Sequence, residues 1–147
     1  MIKVYTDGAC RVSNPGLCSC AYVVHDDDRT IFEWSMALPG LNTNNYAEYQ
    51  GVLYALAWLS NQNFQRAEIF CDSRLVVEQV NGRWACNKPD LLPFKKQAMY
   101  HLVRGSHKLT HIDGHAGHVG NERADLLCNR ELDFVQLKGE HAKQSTN

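Results

Sequence analysis

Apolar and polar positions alternate along the first third of the chain, and this pattern predicts three short β-strands. The strands are expected at residues 2–6, 18–24 and 30–36, the first ending at Asp7 and a turn at Gly8. Two turn sequences separate them, SNPG at 13–16 and DDD at 26–28. Because both connections are short, an antiparallel meander is predicted. The three aspartates are interpreted as a solvated turn, since neighbouring side chains in a turn rarely converge on a metal.

Helical and strand patterns alternate through the rest of the chain. Pro39-Gly40 ends the meander, and Asn42 or Thr43 can cap a helix that runs to about residue 59. Its predicted apolar face comprises Ala47, Leu53, Leu56 and Ala57. The later elements are a strand at 67–72, a short helix capped by Ser73 and ending near Gly82, a helix from Pro93 to about 104, a strand at 108–113, a loop at 114–120 and a helix at 121–132.

This order, β-β-β-α-β-α-α-β-α, predicts an α/β fold in which five strands form one mixed sheet (α+β type) flanked by about four helices. Because β–α–β crossovers are right-handed, the fourth strand should lie parallel to the first and end at the same sheet edge. One folded domain is expected over residues 1–137, followed by a polar, flexible tail at 138–147.

Composition narrows the class of protein. The 15 basic and 16 acidic residues give a net charge of −1, which argues against binding nucleic acid by bulk electrostatics alone. There is no apolar run that could span a bilayer and no charged-then-apolar leader, so a cytoplasmic monomer is expected. The six cysteines are expected to be reduced, because the chain has ample apolar residues for a core. A zinc site would need a second close-set Cys/His pair, and none is evident.

Four carboxylates are the strongest chemical signal: Asp7, Glu48, Asp72 and Asp125 each lie within an apolar, periodic segment. The predicted topology brings Asp7 and Asp72 together at one sheet edge. Clustered carboxylates repel one another and are costly to desolvate, so they persist mainly around a cation. Oxygen ligands favour Mg²⁺ or Mn²⁺ over zinc. Taken singly, Asp72 at a strand end and Asp125 at a helix start could equally be caps.

Four motifs occur in order along the chain: YTDGAC with Asn14-Pro15-Gly16, TNNYAEYQG, CDS and GHAGHVGNERAD. Together they resemble type 1 ribonuclease H over residues 1–132. The resemblance implies a five-stranded mixed sheet and an endonuclease that hydrolyses the RNA strand of RNA–DNA hybrids, leaving 5′-phosphate and 3′-hydroxyl ends. The carboxylate set agrees with this, since two divalent ions can activate water and neutralise the leaving oxygen of a phosphodiester.

The resemblance also implies a role for individual residues. Asp7, Glu48, Asp72 and Asp125 would be catalytic ligands of two Mg²⁺ ions, which Mn²⁺ could replace, with Asp7 bridging. His115, in a glycine-containing loop, would relay a proton during catalysis. Contacts to the RNA–DNA hybrid would come from Cys10, Asn14, Thr43, Asn44 and Asn45, although Asn14 and Asn44 also suit a turn and a helix start. Glu122 would either steer the second metal or favour the helix N-terminus.

The chain departs from many family members in its basic residues. Residues 82–92 are short and contain only Arg83 and Lys88 as cations, so a basic protrusion that grips the hybrid is absent. Leu41 and Arg74 stand where a basic residue and an amide are common. Lys95 and Lys96 would compensate in part or form a solvated helix face. Two rival functions remain: a silent hybrid-binding module, which loss of a carboxylate would signal, and a polynucleotidyl transferase, which typically uses three acids.

Overall fold

The element order predicted from the sequence is confirmed in the computed structural model, which describes the backbone of residues 1–145 and the side chains of residues 1–139. The strands are β1 (Ile2–Arg11), β2 (Leu17–Asp26), β3 (Arg29–Ala37), β4 (Glu68–Cys71) and β5 (Lys108–His111). The helices are α1 (Asn44–Asn61), α2 (Arg74–Val80), α3 (Leu92–Gly105) and α4 (Val119–Ser145). None of the helices in this part of the chain is long and apolar enough to cross a membrane.

The five strands form one mixed sheet in the order β3-β2-β1-β4-β5. β1 and β3 pair antiparallel with β2, whereas β4 is parallel to both β1 and β5. The predicted parallel pairing of the first and fourth strands is therefore confirmed. Its register places Thr6 opposite Cys71, so the residues that follow, Asp7 and Asp72, lie at neighbouring positions.

Helices cover both faces of the sheet. On one face, α1, α2 and α3 bury the main core, which includes Val24, Val52, Leu56 and Ile69. On the other face, α4 packs against β2 through Ala124, Leu127 and Cys128, which contact Ala21 and Val23. Consecutive β2 residues thus serve opposite faces, as strand geometry requires. Ala57, predicted for the buried face of α1, is exposed, because that helix buries positions 52, 55, 56 and 59 instead.

Two predicted boundaries were wrong. β1 does not end at Asp7 with a turn at Gly8; it continues to Arg11, because β2 pairs with it along its whole length and Gly8 lies opposite Cys20. The last helix does not end at residue 132 but runs from Val119 to Ser145. The predicted domain boundary at residue 137 therefore falls inside α4, and only residues 146–147 of the predicted tail lie outside the described chain.

The expectation that all cysteines are reduced was also wrong, since Cys10 and Cys18 form a disulfide. They lie directly opposite each other in the β1–β2 ladder, with Cα atoms 4.0 Å apart. The sequence pattern hid this pairing, because ending β1 before Gly8 left Cys10 outside the sheet. Four cysteines stay free, and three of these, Cys20, Cys71 and Cys128, are buried.

Candidate active site

Asp7 and Glu48 meet where α1 crosses β1. Both side chains are buried, with 4% and 9% of their surfaces exposed. The backbone N–H of Gly8 donates to both carboxyl groups, at 2.9 Å to Asp7 Oδ1 and 3.2 Å to Glu48 Oε1. One backbone donor therefore holds a carboxylate from the strand against a carboxylate from the helix.

Two glycines permit this close approach of helix and strand. A Cβ atom on Gly8 would lie 2.4 Å from the carbonyl carbon of Ala47, and one on Gly51 would lie 2.8 Å from the carbonyl oxygen of Asp7. Real Cβ atoms do not tolerate such distances to backbone atoms, so larger residues would push α1 away from β1. The glycines therefore set the separation at which Glu48 reaches Asp7.

Asp72 joins this pair from the end of β4. The parallel register carries it next to Asp7, and the side-chain amide of Asn121, at the start of α4, acts to lower its pKa. A possible ligand atom from each of Glu48, Cys71 and Asp72 lies within 4.8 Å of the others. The structure therefore brings together the predicted site residues from β4 and α1.

Asp125 reaches the same region from α4. The helix begins at Val119, so Asp125 lies in its second turn and is not the cap that its position in the sequence allowed. Its charge helps to raise the pKa values of both Asp7 and Asp72. Asp7 and Asp125 are outside the tightest group of ligand atoms but within the same electrostatic cluster.

The cluster holds its protons unusually tightly. Burial, followed by the charge of Asp72, raises the pKa of Asp7 to about 8. Burial also raises the pKa of Glu48 well above its usual range, with the charge of Asp7 as the next cause. The pKa of Asp72 is raised for the same first reason. These shifts are the signature of like charges gathered in a site that excludes water.

The residues fit a divalent cation. Within residues 1–139, no Lys, Arg or His side chain forms an ion pair with any of the four carboxylates. The donors to Asp7 and Glu48 are uncharged: the backbone N–H of Gly8 and the thiol of Cys71. Hard oxygen donors that form no ion pair with a protein cation are the donor set that Mg²⁺ or Mn²⁺ takes.

His115 lies in the exposed loop between β5 and α4, at the rim of this cluster. Its φ is +62°, a left-handed conformation that few residues other than glycine adopt. The preceding residue, Gly114, approaches the carboxylates so closely that a Cβ there would be 3.2 Å from Asp72 Oδ2. His115 therefore borders the site without packing into the core. Glu122, in the first turn of α4, is exposed.

The predicted substrate residues gather beside the carboxylates, around the N-terminus of α1. Thr43 caps this helix, as predicted, by accepting from the N–H of Tyr46 at 3.2 Å. Asn14 Oδ1 accepts from the N–H of Asn44 at 3.0 Å, which ties the β1–β2 loop to the helix start. The Cys10 sulfur lies 3.6 Å from the carbonyl oxygen of Asn42. Asn45 is the second residue of α1 and is partly exposed.

The connection between α2 and α3 contains no helix, which agrees with the predicted absence of a protrusion. Its Arg83 donates twice to the carboxylate of Glu78, at 2.7 and 2.8 Å, so its charge is partnered within the chain. Arg74 lies over the ring of Trp84, 5.9 Å from its centroid. Leu41, at the other departure from the family pattern, is 69% exposed.

Sequence similarity assigns the chain to a protein family. The family model described as RNase H matches residues 1–133. The chain belongs to the RNase H family. Ribonuclease HI of Halobacterium salinarum is 36% identical over 136 residues, covering 90% of this chain and 64% of the relative. Ribonuclease H of Thermosynechococcus vestitus is 32% identical over 138 residues, covering 86% of each. The chain spans only 27% of the bifunctional protein Rv2228c of Mycobacterium tuberculosis, a further relative.

Solved structures of RNase H proteins share the fold. The crystal structure of RNase H1 from Halobacterium salinarum has a TM-score of 0.79 at 34% identity, covering 90% of this chain and 97% of the other. LC11-RNase H1, crystallised in complex with an RNA/DNA hybrid, has a TM-score of 0.81 at 29% identity, covering 92% and 99%. The RNase H fold predicted from the sequence is therefore confirmed.

Sequence reasoning missed the uncharged residues that organise the carboxylates. Asn121 acts to lower the pKa of Asp72, Cys71 contacts Glu48, and Gly51 allows α1 to approach the sheet. Only Asn121 carried a usable signal, because it precedes Asp125 by four residues and so shares its helix face. Cys71 and Gly51 matter because of their distances to residues on other elements, and a local sequence pattern does not predict such distances.

Proposed function

We propose that the chain is an endonuclease that hydrolyses the RNA strand of RNA–DNA hybrids, leaving 5′-phosphate and 3′-hydroxyl ends. The observation that carries the proposal is the carboxylate cluster around the buried Asp7 and Glu48, which forms no ion pair with a protein cation. Glu48 lies on α1, the helix that begins with Asn44 and Asn45. Membership of the RNase H family supports it, as does the structural similarity to LC11-RNase H1, whose structure contains an RNA/DNA hybrid.

In this proposal Asp7, Glu48, Asp72 and Asp125 would hold two Mg²⁺ ions, with Mn²⁺ as a possible substitute. Glu122 would either steer the second ion or favour the N-terminus of α4. Bound divalent cations would supply an activated water and charge neutralisation at the scissile phosphodiester. The protein contributes rigid placement: two carboxylates come from sheet strands and two from helices packed on opposite faces of the sheet.

His115 would move protons in the same reaction. Its side chain is exposed to solvent in the loop that approaches Asp72 at Gly114, and an imidazole can both accept and donate a proton. The ring could therefore take up a proton at the site and release it to bulk water, or return one to the leaving oxygen. The support for this role is the close approach of Gly114 to Asp72 and the open surroundings of the loop.

Recognition of the hybrid would use the surface around the N-terminus of α1. Amide groups on Asn14, Asn44 and Asn45 can donate to and accept from 2′-hydroxyls and base edges in a shallow minor groove. Thr43 and the backbone near Cys10 would contact the sugar–phosphate backbone. The bond between Asn14 and the N–H of Asn44 supports this assignment, since it holds the loop and helix as one surface.

A gel assay with end-labelled substrates tests the proposal. RNA–DNA hybrid, duplex RNA and duplex DNA are each incubated with the protein, with and without Mg²⁺. We expect cleavage of the hybrid's RNA strand only, dependent on Mg²⁺ and lost when its ribonucleotides are replaced by deoxyribonucleotides. Asp72→Asn should remove the activity while circular dichroism stays native. Cleavage of duplex DNA would favour the transferase, and binding without cleavage would favour the silent module.

We further propose that the chain acts as a monomer in the cytoplasm. One chain supplies all four carboxylates, so the chemistry needs no second copy. Sedimentation of the active protein should give the mass of one chain, and cell fractionation should place the activity with cytoplasmic markers.

A further inference from the structure

Cys71 ends β4 beneath α1 and is fully buried. It belongs to the core on the α1 face of the sheet, together with Ile69, two positions earlier on the same strand. Its sulfur lies 3.6 Å from Glu48 Oε2 and 4.0 Å from the carbonyl oxygen of Ser73. A thiol has a single proton to donate, and the nearer, ionisable acceptor is the carboxyl group of Glu48.

The two oxygens of Glu48 therefore have different donors. Oε1 accepts from the backbone N–H of Gly8 at 3.2 Å, and Oε2 faces the thiol of Cys71. Two donors on opposite oxygens restrict rotation of the carboxyl group about its last side-chain bond. Because both donors are uncharged, they orient the group without competing with a cation for its charge.

We propose that Cys71 is a positioning residue that orients the Glu48 carboxylate for metal binding, an inference that rests on the function proposed above. Groups that hydrogen-bond to metal ligands in this way fix the ligand's orientation, and their loss typically weakens metal binding. The competing explanation is that Cys71 only fills space in the core. If Cys71 orients Glu48, replacing its sulfur weakens metal binding. If Cys71 only fills space, the replacement changes the stability of the protein but not its metal affinity.

The test compares Cys71→Ala, Cys71→Ser and Cys71→Val with Cys128→Ala. Cys128 is equally buried, lies on the α4 side of the sheet and donates to none of the four carboxylates. Both alanine variants remove the same atoms from a core, so they control for packing. Serine keeps a donor at position 71, whereas valine keeps the bulk without one. Mn²⁺ affinity is measured by calorimetry, and the free energy of unfolding by urea titration with chelator.

We expect Cys71→Ala and Cys71→Val to weaken Mn²⁺ binding about tenfold. Cys71→Ser should recover most of the affinity, and Cys128→Ala should bind Mn²⁺ as wild type does, even where its stability falls. Wild-type Mn²⁺ affinity in Cys71→Val, or equal losses in the serine and valine variants, would overturn the proposal. Should Cys71→Ala fail to fold, the serine and valine pair decides alone. Absence of Mn²⁺ binding to the wild-type protein would instead count against the proposed function itself.

Discussion

Protons bound by the buried carboxylates make the metal-free protein sensitive to pH. The pKa of Asp7 rises from an ordinary 3.8 to about 8, and those of Glu48 and Asp72 move in the same direction. Between the two values the native state binds protons that the unfolded chain has released. The stability that Asp7 contributes is thus fully present below the unfolded pKa and is lost as the pH rises through the folded one.

We therefore expect the free energy of unfolding of the metal-free protein to fall as the pH rises across this window. Urea titrations in chelator, repeated at several pH values, measure it. Asp7→Asn should give a shallower decline, because one of the carboxylates with a raised pKa no longer titrates. Added Mg²⁺ should oppose the decline in the wild-type protein. A wild-type profile that is flat, or that rises with pH, would contradict the carboxylate cluster as described.

His115 gives a second test at the scale of one residue. His115→Ala should lower turnover by on the order of 10²-fold or more, a typical size for general acid–base assistance. Its exposed loop leaves no core cavity, so stability and the half-saturating Mg²⁺ concentration should stay close to wild type. His118→Ala is the matched control, from the same exposed loop. Equal, small effects at both positions would mark His115 as an ordinary surface residue.

At the scale of elements, the contact between α1 and β1 determines whether the site can assemble. Gly51 lies inside α1, where alanine would favour the helix, but its Cβ would meet the Asp7 carbonyl oxygen at 2.8 Å. Gly139 lies inside α4, and a Cβ there would have nothing within 4 Å. The same substitution therefore has opposite consequences in two helices of one protein.

We expect Gly51→Ala to destabilise the protein by about 1–3 kcal/mol, the usual cost of overpacking, and to weaken Mn²⁺ binding as Glu48 moves away from Asp7. Gly139→Ala should stabilise it by up to about 1 kcal/mol through helix propensity. Thermal or urea unfolding gives the stabilities, and calorimetry the metal affinity. A stable Gly51→Ala variant with wild-type metal binding would show that α1 can shift without disturbing the site.

The order and pairing of the elements could be predicted because the helix caps and strand patterns in the sequence agree with the pairing that the sheet adopts. Thr43 and Ser73 cap the helices predicted to start beside them, and the crossover rule places β4 beside β1. The extension of β1 through Gly8 could not be predicted, since glycine normally marks a turn and only pairing with β2 keeps it extended. The Cys10–Cys18 disulfide was missed for the same reason.

At the scale of the whole molecule, the sequence identified the carboxylates of the candidate site but not the uncharged residues that position them. Carboxylates stand out in apolar segments, and the family motifs name them. Cys71 and Gly51 do not stand out, because a thiol or a glycine in a core segment is ordinary until the neighbouring element is known. Net charge is also a property of the whole molecule. It follows from the composition alone and bears directly on how strongly the protein binds nucleic acid.

The connection between α2 and α3 offers few basic side chains to a nucleic-acid backbone. The net charge is −1, the α2–α3 connection carries only Arg83 and Lys88, and Arg83 is already bound to Glu78. Affinity for nucleic acid scales with the phosphates that a protein neutralises, and so does the dependence of that affinity on salt. Low affinity and a shallow salt dependence should therefore occur together in this protein.

The last prediction concerns that dependence. Hybrid affinity, measured by fluorescence anisotropy over a range of salt concentrations in an Asp72→Asn background that prevents cleavage, should give a plot of log affinity against log salt with a shallow slope. Arg83→Gln should leave the slope unchanged, because its guanidinium is occupied by Glu78. Lys96→Gln, on the exposed face of α3, should reduce its magnitude by about 1 if that lysine replaces the missing protrusion. A slope as steep as that of a protein with about six or more phosphate contacts would mean that the chain grips the hybrid elsewhere.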